Sequence, residues 1–137
     1  MNTNNFIFEN QSKFSFDKTV EVLMSEAERR DWKIPAVHDL QQSLAKSGKT
    51  VKPVKVIEIC KPEYSGQMLE LNNERIISVM MPCRISVYEK EDGKAYVALI
   101  NSGALATGLP DSIRKVMKAA SDETFEIVKS VVDKPNA

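Results

Sequence analysis

The chain has 137 residues, 42% of them hydrophobic and 28% charged, which are globular values and exclude a wholly disordered chain. The length suits one domain, and a chain of this size buries about 68% of its unfolded surface, so it needs no metal or disulfide merely to fold. Lysine plus arginine (19) balance aspartate plus glutamate (19). With no basic excess or stripe, a nucleic-acid partner is not expected.

Nor is a membrane partner, because no run approaches the about 20 apolar residues of a span. Met1 to Asn5 is polar, without a signal-peptide pattern, and the expected compartment is the cytoplasm. Two cysteines, Cys60 and Cys83, and one histidine, His38, are present. In a reducing compartment the cysteines are expected as thiols, and no Cys-x-x-Cys pair points to a zinc ribbon. Residues 6–133 read as a single domain, with 1–5 and 134–137 as flexible ends.

Phe6 and Phe8 open a short strand or extended arm. Ser15 and Asp17 then offer capping side chains, and Val20, Leu23, Met24 and Ala27 follow at helical spacing. Trp32 to His38 is extended, and Pro35 marks it as an edge or interrupted strand. Asp39 can cap a second helix carrying Leu40, Leu44 and Ala45, which Gly48 ends. Val54 to Cys60 is the best strand on β-branched content. Pro62 then suits a first helical position, ahead of Tyr64, Met68 and Leu71.

Residues 76–90 read as an extended run and 94–100 as its partner, joined at Glu91-Asp92-Gly93 by a hairpin turn. Asn101 to Gly108 is a flexible loop or a frayed helical turn. Pro110 and Asp111 open a last helix, whose stripe of Ile113, Val116, Met117, Ala120, Ile127 and Val128 persists to Val131. This order predicts an α+β fold: a two-layer sandwich with a mostly antiparallel sheet and helices packed on one face.

Alternation along the strands assigns Cys83, Ile85, Val87, Val97 and Leu99 to the core face, and Arg84, Ser86, Tyr88 and Tyr96 to an uncovered one. Ile57 and Ile59 are expected in the core, which sends Val54, Val56, Glu58 and Cys60 to the open face. The reverse would bury the Glu58 carboxylate, at a cost of several kcal/mol. On this assignment Cys60 and Cys83 lie on opposite sides, which argues against a disulfide, and Glu58 can pair with Arg84.

Ile59-Cys60-Lys61-Pro62, then Tyr64 and Leu69, then Met81-Pro82-Cys83-Arg84-Ile85 and Val87-Tyr88-Glu89 together resemble the bacterial and archaeal family called domain of unknown function 302. That family typically shows Cys-Asn-Pro at a strand end and Leu-Pro-Cys before a hairpin. Here Lys61 stands where asparagine is usual and Met81 where leucine is common. The Trp32 region resembles the family's Gly-Phe segment without its glycine. The resemblance spans nearly the whole chain. It implies a two-layer α+β fold, often dimeric, and supplies no established reaction.

Two readings of function remain open. The first is a small-ligand-binding or sensory module, a homodimer, whose open sheet face offers Glu58, Cys60, Arg84 and Tyr88 to a small molecule. The second is a thiol- or metal-dependent site centred on Cys60, with Glu58, His38 or Cys83 beside it. Cys60 precedes a helix N-terminus, which favours a thiolate. His38, Cys60 and Cys83 form the candidate metal set, suited to zinc, iron or copper. The plainer alternative is an interaction protein in which both cysteines only pack. No phosphate loop and no Ser-His-Asp signal is legible, so no catalytic residue is assigned.

Overall fold

In the computed structural model, which describes residues 6–133, five strands form one antiparallel sheet. They are β1 (Ile7–Gln11), β2 (Lys33–Asp39), β3 (Val54–Cys60), β4 (Cys83–Glu89) and β5 (Ala95–Ile100), in the spatial order β1-β5-β4-β3-β2. The helices are α1 (Phe16–Arg29), α2 (Leu40–Ala45), α3 (Pro62–Leu69), α4 (Ser102–Leu105) and α5 (Asp111–Lys129). The fold is α+β, as the element order predicts.

The register follows the alternation read from sequence. Ile57 faces Ile85, Ile85 faces Leu99, and Val87 faces Val97. These side chains are fully or almost fully buried, and they meet Val20, Leu23 and Ala27 of α1 and Ile127 and Val128 of α5. Apolar burial at roughly 25 cal/mol per Å² makes this cluster the main source of stability. A second cluster joins Met68, Ile77, Ala106, Ile113 and Met117 beneath α3 and α5.

Two local devices matter for the site. Helix α1 closes with Trp32 N–H donating to Ala27 O (2.9 Å) and Asp31 N–H to Glu28 O (3.0 Å). This is the Schellman arrangement, which wants a left-handed residue between. Asp31 supplies it at φ 67°, beside the position where the resembled Gly-Phe segment has glycine. The cap delivers Trp32 into the core, 3% exposed. At the β4–β5 hairpin, Gly93 takes φ 76°, and Lys94 N–H donates to Asp92 Oδ1 at 2.9 Å.

Pro35 lies inside β2, an edge strand whose register against β3 shifts between Lys33 and Ala36. The interruption is where a residue without an N–H predicts it. The extended run expected over 76–90 is shorter than that. Arg75–Met80 is a 3-10 turn, and β4 begins only at Cys83, after a cis Met81–Pro82 bond. The last β3–β4 pair is Ile59 with Cys83, because β3 leaves the sheet after Cys60 to start α3. Residues 75–80 therefore have no strand to pair with, and their backbone groups bond locally. Asn101–Gly108 contains one helical turn, α4, capped by Asn101 Oδ1 accepting from Ala104 N–H at 3.2 Å. The expected flexible ends, 1–5 and 134–137, lie outside the described residues. No helix among the described residues is long and apolar enough to cross a membrane.

Candidate functional site

Glu58 sits mid-strand on β3, opposite Arg84 of β4 and Ala36 of β2. Its carboxylate is 14% exposed; His38 Nε2 lies 2.8 Å from Oε2, and Arg84 Nη2 lies 3.7 Å from the same oxygen. Glu58 and Arg84 share a face, as alternation assigns them, and β2 adds His38 to it. His38 holds this place because β2 pairs it with Val56, two residues before Glu58 and on the same face of β3. Asp39 caps α2, accepting from Gln42 N–H at 2.9 Å.

Tyr88 shares this face but is committed elsewhere. Its hydroxyl donates to Glu9 Oε2, while Lys90 Nζ reaches Glu9 Oε1 at 3.0 Å. Burial and then the Glu9 bond push the Tyr88 pKa up. Burial pushes Glu9 up as well, but its Tyr88 and Lys90 bonds outweigh that and hold it below the usual carboxylate value. The Tyr88 and Tyr96 rings stack with centroids 6.3 Å apart, and Lys90 Nζ sits 4.2 Å from the Tyr96 centroid. Tyr88 therefore works as an ordered ledge of the sheet face.

Cys60 departs from the predicted arrangement. It pairs with Lys33 at the end of β3, where the chain turns into α3, and its Sγ lies 3.5 Å from Ser65 Oγ of that helix. It lines a cavity of about 30 Å³ beneath α3 together with Cys83. The two thiols are free, and they do not occupy opposite sides. Strict alternation fails at a terminal residue whose backbone is already leaving the sheet. Burial, and then charge on Cys60, push the Cys83 pKa up to about 11. The expected trio of His38, Cys60 and Cys83 does not assemble, since His38 is engaged with Glu58. No three His, Cys, Asp or Glu side chains among the described residues converge on a metal position.

The group that sequence reasoning missed is Glu123. It projects from α5 and accepts three bonds: from Lys61 Nζ at 2.6 Å, from Tyr64 OH at 2.5 Å and from Trp32 Nε1 at 2.9 Å. Burial raises its pKa, but these three donors outweigh that and hold it below the ordinary value. The Glu123 bond and then burial push Tyr64 up to about 12. A signal existed, because Glu123 follows Ala120 by three and precedes Ile127 by four, which is the buried stripe of an amphipathic helix. Lys61, at the position where the resembled motif has asparagine, is the cation that answers this carboxylate.

A larger cavity, about 200 Å³, opens between the 3-10 turn, the start of β4, the end of β5 and α4. Met80, Met81, Leu99 and Leu105 give it apolar walls, with Cys83 and Arg84 also in its lining. Cys83, Met81 and Pro82 line both this cavity and the smaller one. The arrangement places a cation, a half-buried thiol and an apolar hollow side by side at one end of the sheet.

Comparison with known proteins agrees with this architecture. A solved structure, that of an uncharacterised conserved DUF302 protein from Bacillus stearothermophilus, superposes with a TM-score of 0.83. The likeness covers 93% of this chain and 99% of that one at 14% identity, and so concerns the fold. A search of the curated proteins found no match. The family model described as domain of unknown function DUF302 matches residues 8–134. With nearly the whole domain matched, this chain belongs to the DUF302 family.

Proposed function

We propose that the protein is a small-ligand-binding module, and that its ligand is a short carboxylic acid with an apolar body. The observation that carries this reading is the position of Arg84. It belongs to the lining of the about 200 Å³ cavity. Its side chain is 60% exposed and, among the described residues, its carboxylate contact is to Glu58 at 3.7 Å. Most of its five donors are thus available for the bidentate bonding that guanidinium offers a carboxylate. Apolar walls with one placed charge are the usual make-up of a small-molecule site. Glu58 and His38 orient Arg84 from the open face, and the Tyr88 ledge bounds that face further along the sheet.

The reading includes a homodimer. Ile76 and Val79 stand 81% and 84% exposed on the 3-10 turn beside the cavity, and a second copy is the occupant that would cover them.

The experiment is calorimetric titration with hexanoate and, in parallel, hexanol, on the wild type and Arg84→Met, with light scattering on the same samples. Hexanoate binds the wild type and loses about tenfold or more in the variant, which corresponds to one charge-assisted contact. Hexanol is indifferent to the change, and the protein scatters as a dimer. Equal hexanoate affinity in both proteins, or no binding to either, rejects the ligand; a monomeric wild type rejects the dimer.

A further inference from the structure

Four sulfur-bearing residues belong to the lining of one cavity: Cys60, Met68, Met81 and Cys83. They come from three separate places in the chain, namely the end of β3, the last turn of α3 and the segment that leads into the first residue of β4. The cavity holds about 30 Å³. That is room for a single ion or water, because one water needs roughly 10–15 Å³ of such space; an organic molecule does not fit. Met68 is buried and Cys83 packs against the main core. The Glu123 carboxylate is engaged by three donors of this lining, Lys61, Tyr64 and Trp32.

Thiol and thioether donors are soft and polarizable. Thioethers add little for zinc, magnesium or calcium, whereas a mixed thiolate–thioether set selects monovalent copper. We propose that Cys60, Cys83, Met68 and Met81 form a binding site for a cuprous ion. The site goes beyond the small-acid reading and does not rest on it.

Binding breaks two S–H bonds and forms two copper–thiolate bonds, with the methionine sulfurs donating lone pairs. Two protons leave to solvent, and copper remains in the +1 state, so no electron is transferred. One cuprous charge and two thiolates leave one net negative charge on the site. Because each thiol must lose its proton to bind, uptake is proton-coupled and affinity rises with pH. The larger cavity shares Met81 and Cys83 with this one.

The test is competition for Cu(I) against a chromogenic cuprous chelator, under anaerobic reducing conditions, with Zn(II) titrated in parallel. The proteins are the wild type, Cys60→Ser, Cys83→Ser, Met68→Leu and Met81→Leu. The leucine variants conserve volume and keep the fold, which circular dichroism checks. The expected result is one Cu(I) per chain, lost in both serine variants and weakened by roughly tenfold in each leucine variant, the scale on which altered metal surroundings act. Zinc binds far more weakly. Three outcomes overturn the site: less than one Cu(I) per chain, leucine variants that bind as the wild type does, or zinc bound as tightly as copper.

Discussion

Replacing Glu123 by glutamine tests whether the three-donor hub holds α3 and α5 together. Lys61 and Glu123 are each 17% exposed, so removing the charge leaves the ammonium largely out of water without its counter-ion. Breaking a buried pair in this way costs about 3–5 kcal/mol. Glutamine retains one acceptor oxygen for Trp32 or Tyr64, which recovers about 1 kcal/mol. The expected destabilisation is therefore about 3 kcal/mol, or roughly 10 °C in melting temperature for a chain of this size.

Urea unfolding, followed by circular dichroism and by the fluorescence of Trp32, measures it. Adding Lys61→Met to Glu123→Gln should restore part of the loss, because the orphaned charge is then gone. The pH dependence has a fixed sign. A carboxylate held below its ordinary value of 4.5 contributes fully above that value and loses its contribution as pH falls through the lowered one. The gap between wild type and Glu123→Gln is then constant at neutral pH and closes on acidification. A gap under about 1 kcal/mol at pH 7, the size of an average substitution, refutes the hub. So does a gap that widens in acid.

Two further outcomes follow from local structure. Asp31→Gly should stabilise the protein by roughly 0.5–1 kcal/mol, since glycine accepts the left-handed conformation of this helix cap without a Cβ penalty; thermal unfolding reads it, and a lower melting temperature refutes it. In Cys60→Ser the remaining thiol is Cys83, which stays half-buried against the core. Alkylation by iodoacetamide should be slow at pH 8 and accelerate only well above the usual thiol range, whereas rapid reaction at pH 8 in folded protein refutes the buried placement.

Much of the sheet is legible because its faces are chemically unequal. Ile57, Ile85, Val87, Val97 and Leu99 alternate with Glu58, Arg84, Tyr88 and Tyr96, and one register alone buries the first set without the second. Pro35, Gly93 and Asp39 announce their roles through backbone constraint or capping chemistry. What escapes is non-local. Residues 76–80 are β-branched enough for a strand, yet they lie past the end of β3 and find no partner. Cys60 obeys alternation only until the backbone turns into α3. The Glu123 hub joins α1's end, α3's start and mid-α5, which no window on the sequence contains. Both cavities arise the same way, from chain segments that meet only in the folded protein.

The position of β1 has a consequence for how the molecule comes together. Strands β2 to β5 pair in chain order, each with the next, so this part of the sheet can zip forward as the chain is made. Residues 7–11, by contrast, dock on 96–100, and they wait for nearly the entire domain before they find their edge. Closing so large a loop is slow, and the reward for it arrives late. Until then β5 presents a bare row of N–H and C=O groups to any other extended chain. The N-terminal strand is thus the clasp of the fold, and the interval before it shuts is when this protein is most exposed to pairing with the wrong partner.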